Sequence, residues 1–148
     1  MNAAICISGF VRSKINNFTL FDNLINYNKH INFDIFIDTW NTYNTENSHA
    51  FVRRNDNNFD TVDFNMLIEN YNPVSICVEQ YNPEMFKMYS HYKVSFDNIS
   101  SATFSQFYKV QKCKNLMVDY LKTQNNKFYD YVIRTRFDLN YNKITYIL

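Results

Sequence analysis

Apolar and polar positions follow two different periods along this chain. Continuous apolar runs, of the kind that form buried parallel strands, cover Ala3–Ser8, Phe33–Asp38, Val74–Glu79 and Tyr129 to about Asp138. Apolar residues spaced three and four apart predict helices from Ile15 to about Lys29, from Asp60 to Tyr71 and from Ser101 to Gln124. Strands that alternate with helices predict an α/β fold, with a parallel Rossmann-like sheet of about four strands and helices on both faces.

Turn residues set the expected boundaries of these elements. Gly9 is the only glycine, and it should end the first strand and open a loop that reaches Lys14. Thr61 is expected to cap the second helix, and Asn72-Pro73 to end it. The polar stretch from 41 to about 58 predicts a long loop, while 83–100 is hard to place beyond a helical turn at its start.

Composition narrows the class of protein. A chain of 148 residues, 46% of them apolar, predicts a single folded domain over residues 1–148. A net charge of +1 gives no support to a nucleic-acid partner bound by a broad basic face. Three widely spaced cysteines indicate buried thiols in a reducing compartment, and no run approaches the roughly 20 apolar residues of a membrane span. We therefore expect a cytoplasmic protein without a membrane span.

The segment after the first strand is one candidate for ligand binding. Ser8 and Gly9 let the backbone pass close to a phosphate or base, and Arg12 can reach the same ligand. The alternative is a tight turn followed by a surface arginine. No GxGxxG or Walker fingerprint is present, which argues against a dinucleotide or P-loop site.

Two further pairs of residues suit a nucleotide. Asp38 can accept a ribose hydroxyl and Trp40 can stack on a base, although Trp40 is equally compatible with a place in the core. Gln106 and Lys109, near the start of the long helix, can meet a diphosphate. The alternative for that pair is a solvated helix face.

The last strand carries the most informative group. Arg134, Arg136 and Asp138 recur at period two and should share one face at the carboxyl end, where α/β sheets bind ligands. Guanidinium groups bind phosphate and a carboxylate holds a divalent metal, which favours a nucleoside diphosphate. The alternative is a cluster of salt bridges that only stabilises the sheet.

Four stretches together resemble the nucleotide-sugar half of GT-A glycosyltransferases found in bacterial surface-polysaccharide loci and large DNA viruses. They are Ile-Ser-Gly-x-x-Arg at residues 7–12, Asp-Ile-Phe-Ile-Asp-Thr-Trp at 34–40, Ser-Gln-Phe-Tyr-Lys at 105–109, and Tyr-Asp-Tyr-Val-Ile-Arg-Thr-Arg-Phe-Asp-Leu at 129–139. The resemblance follows chain order over nearly the whole sequence. Its last stretch is the most specific.

The resemblance implies a nucleotide-diphosphate sugar bound across the first strand, with Gly9 and Arg12 near the nucleotide and Asp38 near the ribose or base. Asp138 would be the retained acid of the family's Asp-x-Asp motif and hold Mn²⁺ or Mg²⁺. The first acid of that motif is replaced here by Arg136. An arginine at this position neutralises part of the phosphate charge by itself.

A complete GT-A domain continues past this strand and supplies the acceptor site, so we expect a larger enzyme, a homo-oligomer or a partner chain to complete it. The first hypothesis is sugar transfer to an unknown glycan or protein acceptor, in the host cytoplasm if the chain is viral. The second is a non-catalytic nucleotide-sugar binding module or degenerate relic. The third is a structural or interaction protein in which the Arg and Asp cluster only stabilises the sheet.

Overall fold

A parallel sheet forms the centre of the molecule. The computed structural model describes residues 1–12, 18–44, 62–82, 84–87, 101–125 and 127–137. Its elements, in chain order, are β1 (Asn2–Arg12), α1 (Phe18–Tyr27), β2 (Asn32–Asn44), α2 (Phe64–Tyr71), β3 (Ser75–Glu79), α3 (Glu84–Lys87), α4 (Ser101–Thr123) and β4 (Tyr131–Thr135). Within these residues the four strands are all parallel, in the order β3-β2-β1-β4.

Helices cover both faces of the sheet. Since alternate strand residues share a face, Ile5 and Ile7 of β1 point with Ile35 and Ile37 of β2 toward Leu67 of α2. Leu24, Tyr71 and Phe137 complete this apolar cluster. On the opposite face, Ala4, Cys6 and Phe36 pack against Cys113 and Met117 of α4. The α/β fold with helices on both faces is therefore confirmed.

The strand order explains the position of α4. The chain leaves β3 at one edge of the sheet and returns in β4 beside β1, so the intervening helix must cross the sheet. Helix α4 accordingly contacts β1, β2 and β3. Its Cys113 thiol donates to the carbonyl of Phe36 at 3.4 Å, and both groups are buried. The helix is thereby held over the middle of the sheet.

Strand β1 does not end at Gly9 as expected. Gly9 has a φ of 110°, which only glycine adopts without strain, and the pairing with β2 shifts register between Gly9 and Val11. After this bulge, Val11 pairs with Tyr43 and the strand continues to Arg12. The predicted loop is therefore wrong over its first residues. The positive φ of Gly9 forms a bulge, after which the strand continues.

Several other boundaries also differ from the predicted ones. Helix α2 is capped by Asp63, whose carboxylate accepts from the backbone N–H of Asn65 at 3.0 Å. Its predicted end is confirmed, since Asn72 forms the C-cap in the left-handed region. Strand β2 continues to Asn44, and β4 is confined to Tyr131–Thr135. Thr61 and the remainder of the predicted 41–58 loop lie outside the described residues, as does most of 83–100.

Polar contacts fix the amino-terminal edge of the sheet. The Tyr129 hydroxyl donates to Asp34 Oδ2 at 2.5 Å, and Lys127 Nζ lies 2.6 Å from the same oxygen. The Asn2 backbone N–H donates to the Asp130 carboxylate at 2.7 Å. These contacts join the residues just before β4 to the amino-terminal ends of β1 and β2. Of the described helices, none has the length and apolarity needed to cross a membrane.

The packing of α2 on the sheet predicts a sharp contrast between two neighbouring residues. Leu67 is fully buried, whereas Ile68 is 43% exposed. We expect Leu67→Ala to lower the free energy of unfolding by about 2–5 kcal/mol, because it leaves a cavity in the core. Ile68→Ala, the matched control, should change it by less than about 0.5 kcal/mol. Urea unfolding measures both, and equal effects would show that α2 does not pack in this way.

Candidate functional site

The carboxyl ends of β1, β2 and β3 meet along one edge of the sheet. Ser8 is in register with Asp38, Gly9 with Thr39, and Trp40 with Glu79. By strand alternation Asp38, Trp40 and Glu79 share the face that α4 covers. A polar site therefore lies between this sheet edge and the first half of α4.

Lys109 of α4 occupies the centre of this site. Its side chain is 0% exposed, and its Nζ lies 2.6 Å from Asp38 Oδ1 and 2.6 Å from Glu79 Oε2. The same Nζ lies 4.0 Å from the ring centroid of Trp40. A buried ammonium is tolerated only when it is paired, and here two carboxylates and an aromatic ring face supply the pairing.

Asp38 is as deeply placed as its cationic partner. The side chain is 1% exposed, and its Oδ2 has no hydrogen-bond partner among the described residues. Burial raises the pKa of Asp38, and Lys109 opposes that rise only in part. One oxygen of Asp38 is thus occupied by Lys109, while the other is a hydrogen-bond acceptor without a partner in the part of the chain that the structure describes.

Glu79 differs from Asp38 in its electrostatic balance. Its Oε1 accepts from the Tyr108 hydroxyl at 3.2 Å and lies 3.4 Å from Lys112 Nζ. Burial raises the pKa of Glu79, but Lys109 and Lys112 outweigh this effect, so the pKa is lowered. The site therefore favours the ionised form of Glu79, whereas burial disfavours the ionised form of Asp38.

Aromatic side chains surround Lys109 and its partners. Trp40 is 1% exposed, its Nε1–H donates to Ser105 Oγ at 3.0 Å, and its ring is stacked on Tyr108 with an interplanar angle of 9°. Phe10 and Tyr81 have ring centroids 6.0 Å and 5.3 Å from that of Trp40. Trp40 therefore packs as a core aromatic residue in this structure, and its stacking on a base stays a prediction.

Gly9 lies next to the residue that pairs with Asp38. Among the described residues, no atom lies within 4 Å of a Cβ built on Gly9. The Gly9 carbonyl accepts a hydrogen bond from Thr39 Oγ1 at 2.8 Å, which ties the bulge to β2. Approach of a ligand to the Gly9 backbone stays a prediction.

The structure brings together five of the residues predicted for the nucleotide, namely Ser8, Gly9, Asp38, Trp40 and Lys109. Gln106 is half-buried on α4, one turn before Lys109, and Arg12 ends β1 opposite Asn44. Arg134 is exposed in β4, and Arg136 is half-buried just beyond that strand. Because β4 is the other neighbour of β1, Arg136 follows a strand end on the opposite side of Gly9 from Asp38.

The predicted metal ligand cannot be placed in the same way. Asp138 lies outside the described residues. Among the residues that the structure does describe, no group of three or more His, Cys, Asp and Glu side chains could hold a metal ion. Binding of Mn²⁺ or Mg²⁺ by Asp138 stays a prediction.

Sequence reasoning missed two members of this site and misjudged one alternative. Glu79 and Tyr108 were not predicted, although Glu79 ends β3 at the same edge that singled out Asp38 in β2. The alternative that Lys109 lies on a solvated helix face is wrong, since its side chain is fully buried. Spacing along α4 alone did not show that the lysine faces two strand-end carboxylates.

Comparisons with known proteins add no further constraint. No family model matches the chain, and neither a curated protein nor a solved structure matches it. A relationship to glycosyltransferases stays a prediction from the sequence resemblance.

Replacing the two lysines that contact Glu79 tests the ion pairing. Lys109→Met leaves Asp38 as an uncompensated buried charge, so we expect the free energy of unfolding at neutral pH to fall by about 3–5 kcal/mol. Lys112 is 42% exposed, and Lys112→Met should cost at most about 1 kcal/mol. Denaturant unfolding of both variants measures the difference. Similar small losses would contradict a buried, paired Lys109.

The lowered pKa of Glu79 predicts a pH dependence with a defined sign. A carboxyl group whose pKa is lowered on folding stabilises the protein above its ordinary pKa of 4.5 and loses that contribution as pH falls through the folded value. Glu79→Gln should therefore be less stable than wild type at pH 7, by about 1 kcal/mol, and the difference should vanish in acid. Glu69→Gln, an exposed change on α2, is the control for the loss of a carboxylate, and thermal unfolding measures both variants. A difference that persists unchanged in acid would refute the assignment.

Proposed function

We propose that the protein binds a nucleotide-diphosphate sugar at the carboxyl edge of β1 and β2 and acts as a glycosyltransferase-like protein toward an unknown acceptor. The resemblance over four stretches supports this proposal. So does the parallel sheet, because such sheets bind ligands outside their strand ends, where the strand order reverses. That reversal falls between β1 and β4 here.

One observation carries the proposal. Among the described residues, no atom lies within 4 Å of a Cβ built on Gly9 in the central strand, and Oδ2 of the buried Asp38 in the neighbouring strand has no hydrogen-bond partner. A buried acceptor without a partner is costly to the folded protein. A ribose hydroxyl or a base N–H that reaches Oδ2 would satisfy it, which is a physical reason for this edge to select a nucleoside.

The diphosphate would then extend toward β4. Arg134 lies in β4 and Arg136 just beyond its end, and guanidinium groups neutralise charge that develops on a leaving diphosphate. Attack by an acceptor hydroxyl on the anomeric carbon would complete transfer. A divalent metal bound by Asp138 would stabilise the same negative charge.

A second candidate function is binding without transfer. The sequence places Arg136 where the family's metal motif has its first acid. This substitution favours a module that holds a nucleotide sugar and leaves the chemistry to another protein or to none.

Calorimetric titration with uridine and guanosine diphosphate sugars, each with and without Mn²⁺, tests the binding site. At least one donor should bind, and Asp38→Asn should weaken it about 10- to 100-fold, the value of a hydrogen bond to a charged group. Asp34→Asn is a matched control, because Asp34 lies on the same face of β2 at the opposite end of the strand. Failure of every donor to bind, or an equal loss in both variants, would overturn the proposal.

Turnover separates the two candidate functions. Incubation of the protein with the donor that binds and with Mn²⁺ should release free nucleoside diphosphate if the chain is a glycosyltransferase, because many transferases also pass the sugar slowly to water. Binding without release would favour the non-catalytic module. Chromatographic detection of the nucleotide product measures the outcome.

A further inference from the structure

We infer that Lys109 is a positioning residue, which acts on the nucleoside through Asp38, and that it is not a ligand of the diphosphate. This inference rests on the proposed function and assigns Lys109 and Glu79 a part in it. The sequence pattern alone suggested the opposite role for Lys109, a direct contact with phosphate.

The contacts of Lys109 leave no donor directed to an outside phosphate. An ammonium group has three N–H donors. Two carboxylate oxygens lie 2.6 Å from Nζ, and the Trp40 ring face lies 4.0 Å away. To reach a phosphate, Nζ would have to leave both carboxylates, and the Asp38 side chain, which is 1% exposed, would keep a buried charge without a counter-ion. One new contact with phosphate would not compensate for the loss of two ion pairs.

The same contacts orient Asp38. Lys109 contacts Oδ1 and so restrains the carboxylate, while Oδ2 has no hydrogen-bond partner among the described residues. Without the cation, burial would favour the protonated acid, in which one oxygen becomes a donor. Lys109 therefore favours the ionised form of Asp38 and fixes the direction of Oδ2. In this state Oδ2 can accept a hydrogen bond from a ligand hydroxyl or N–H.

Glu79 acts one step further from the ligand. Its Oε2 holds Nζ from the side of β3, while Tyr108 and Lys112 hold its Oε1. Glu79 therefore positions Lys109, Lys109 positions Asp38, and Asp38 contacts the nucleoside. Asp38, Glu79 and Lys109 come from β2, β3 and α4, so the contacts among them depend on the relative positions of these three elements.

A ligand series distinguishes positioning from phosphate contact. We would measure the dissociation constants of uridine, uridine monophosphate and uridine diphosphate, or of the guanosine series if guanosine sugars bind, for wild type, Lys109→Arg and Glu79→Gln. Both variants keep groups of similar size at their positions, and circular dichroism confirms that they are folded. A positioning role predicts that each variant weakens all three ligands by the same factor, on the order of tenfold for Lys109→Arg.

Lys114→Arg, an exposed change on the same helix, serves as the matched control for replacing a lysine by an arginine and should leave the affinity for uridine unchanged. A loss that grows from uridine to uridine diphosphate in Lys109→Arg would make Lys109 a phosphate ligand and overturn the inference alone. Unchanged affinities in both variants would also overturn it. If no nucleotide binds wild type, the proposed function fails, and the inference fails with it.

Discussion

The pairing of the Lys109 ammonium with two strand-end carboxylates is the interaction on which the site depends. It joins α4 to β2 through Asp38 and to β3 through Glu79, at the carboxyl ends of these strands. Burying a lysine is unfavourable in isolation. The arrangement is stable because the opposite charges and the Trp40 ring compensate it, and a change in any one of these groups should be felt by the others.

Much of the fold could be predicted from the sequence, because strand and helix periods differ and each buried face leaves a strong apolar pattern. Ile5 and Ile7 mark one face of β1, and Cys6 marks the other. The ends of elements were less predictable. Gly9 signals a turn, yet a bulge with a positive φ lets the same residue continue a strand. Local sequence does not distinguish these outcomes, since the partner strand decides between them.

The site was predictable where a polar residue directly follows an apolar strand, as with Asp38, and less so where a helix brings in the partner. Lys109 stands among other charged and polar residues of α4, and only the crossing of that helix over the sheet turns it toward Asp38. Trp40 shows the limit in another way. An aromatic residue at a strand end suits both a ligand platform and a core, and its neighbours Tyr108 and Ser105 place it in the core.

A crystal structure of the protein with bound uridine or guanosine diphosphate tests the central claim most directly. The account predicts that the nucleoside lies against Gly9, that a hydroxyl or N–H of the nucleoside donates to Asp38 Oδ2, and that Lys109 remains between Asp38 and Glu79. A nucleotide bound elsewhere on the sheet, or a Lys109 side chain turned away from both carboxylates toward the phosphates, would contradict it.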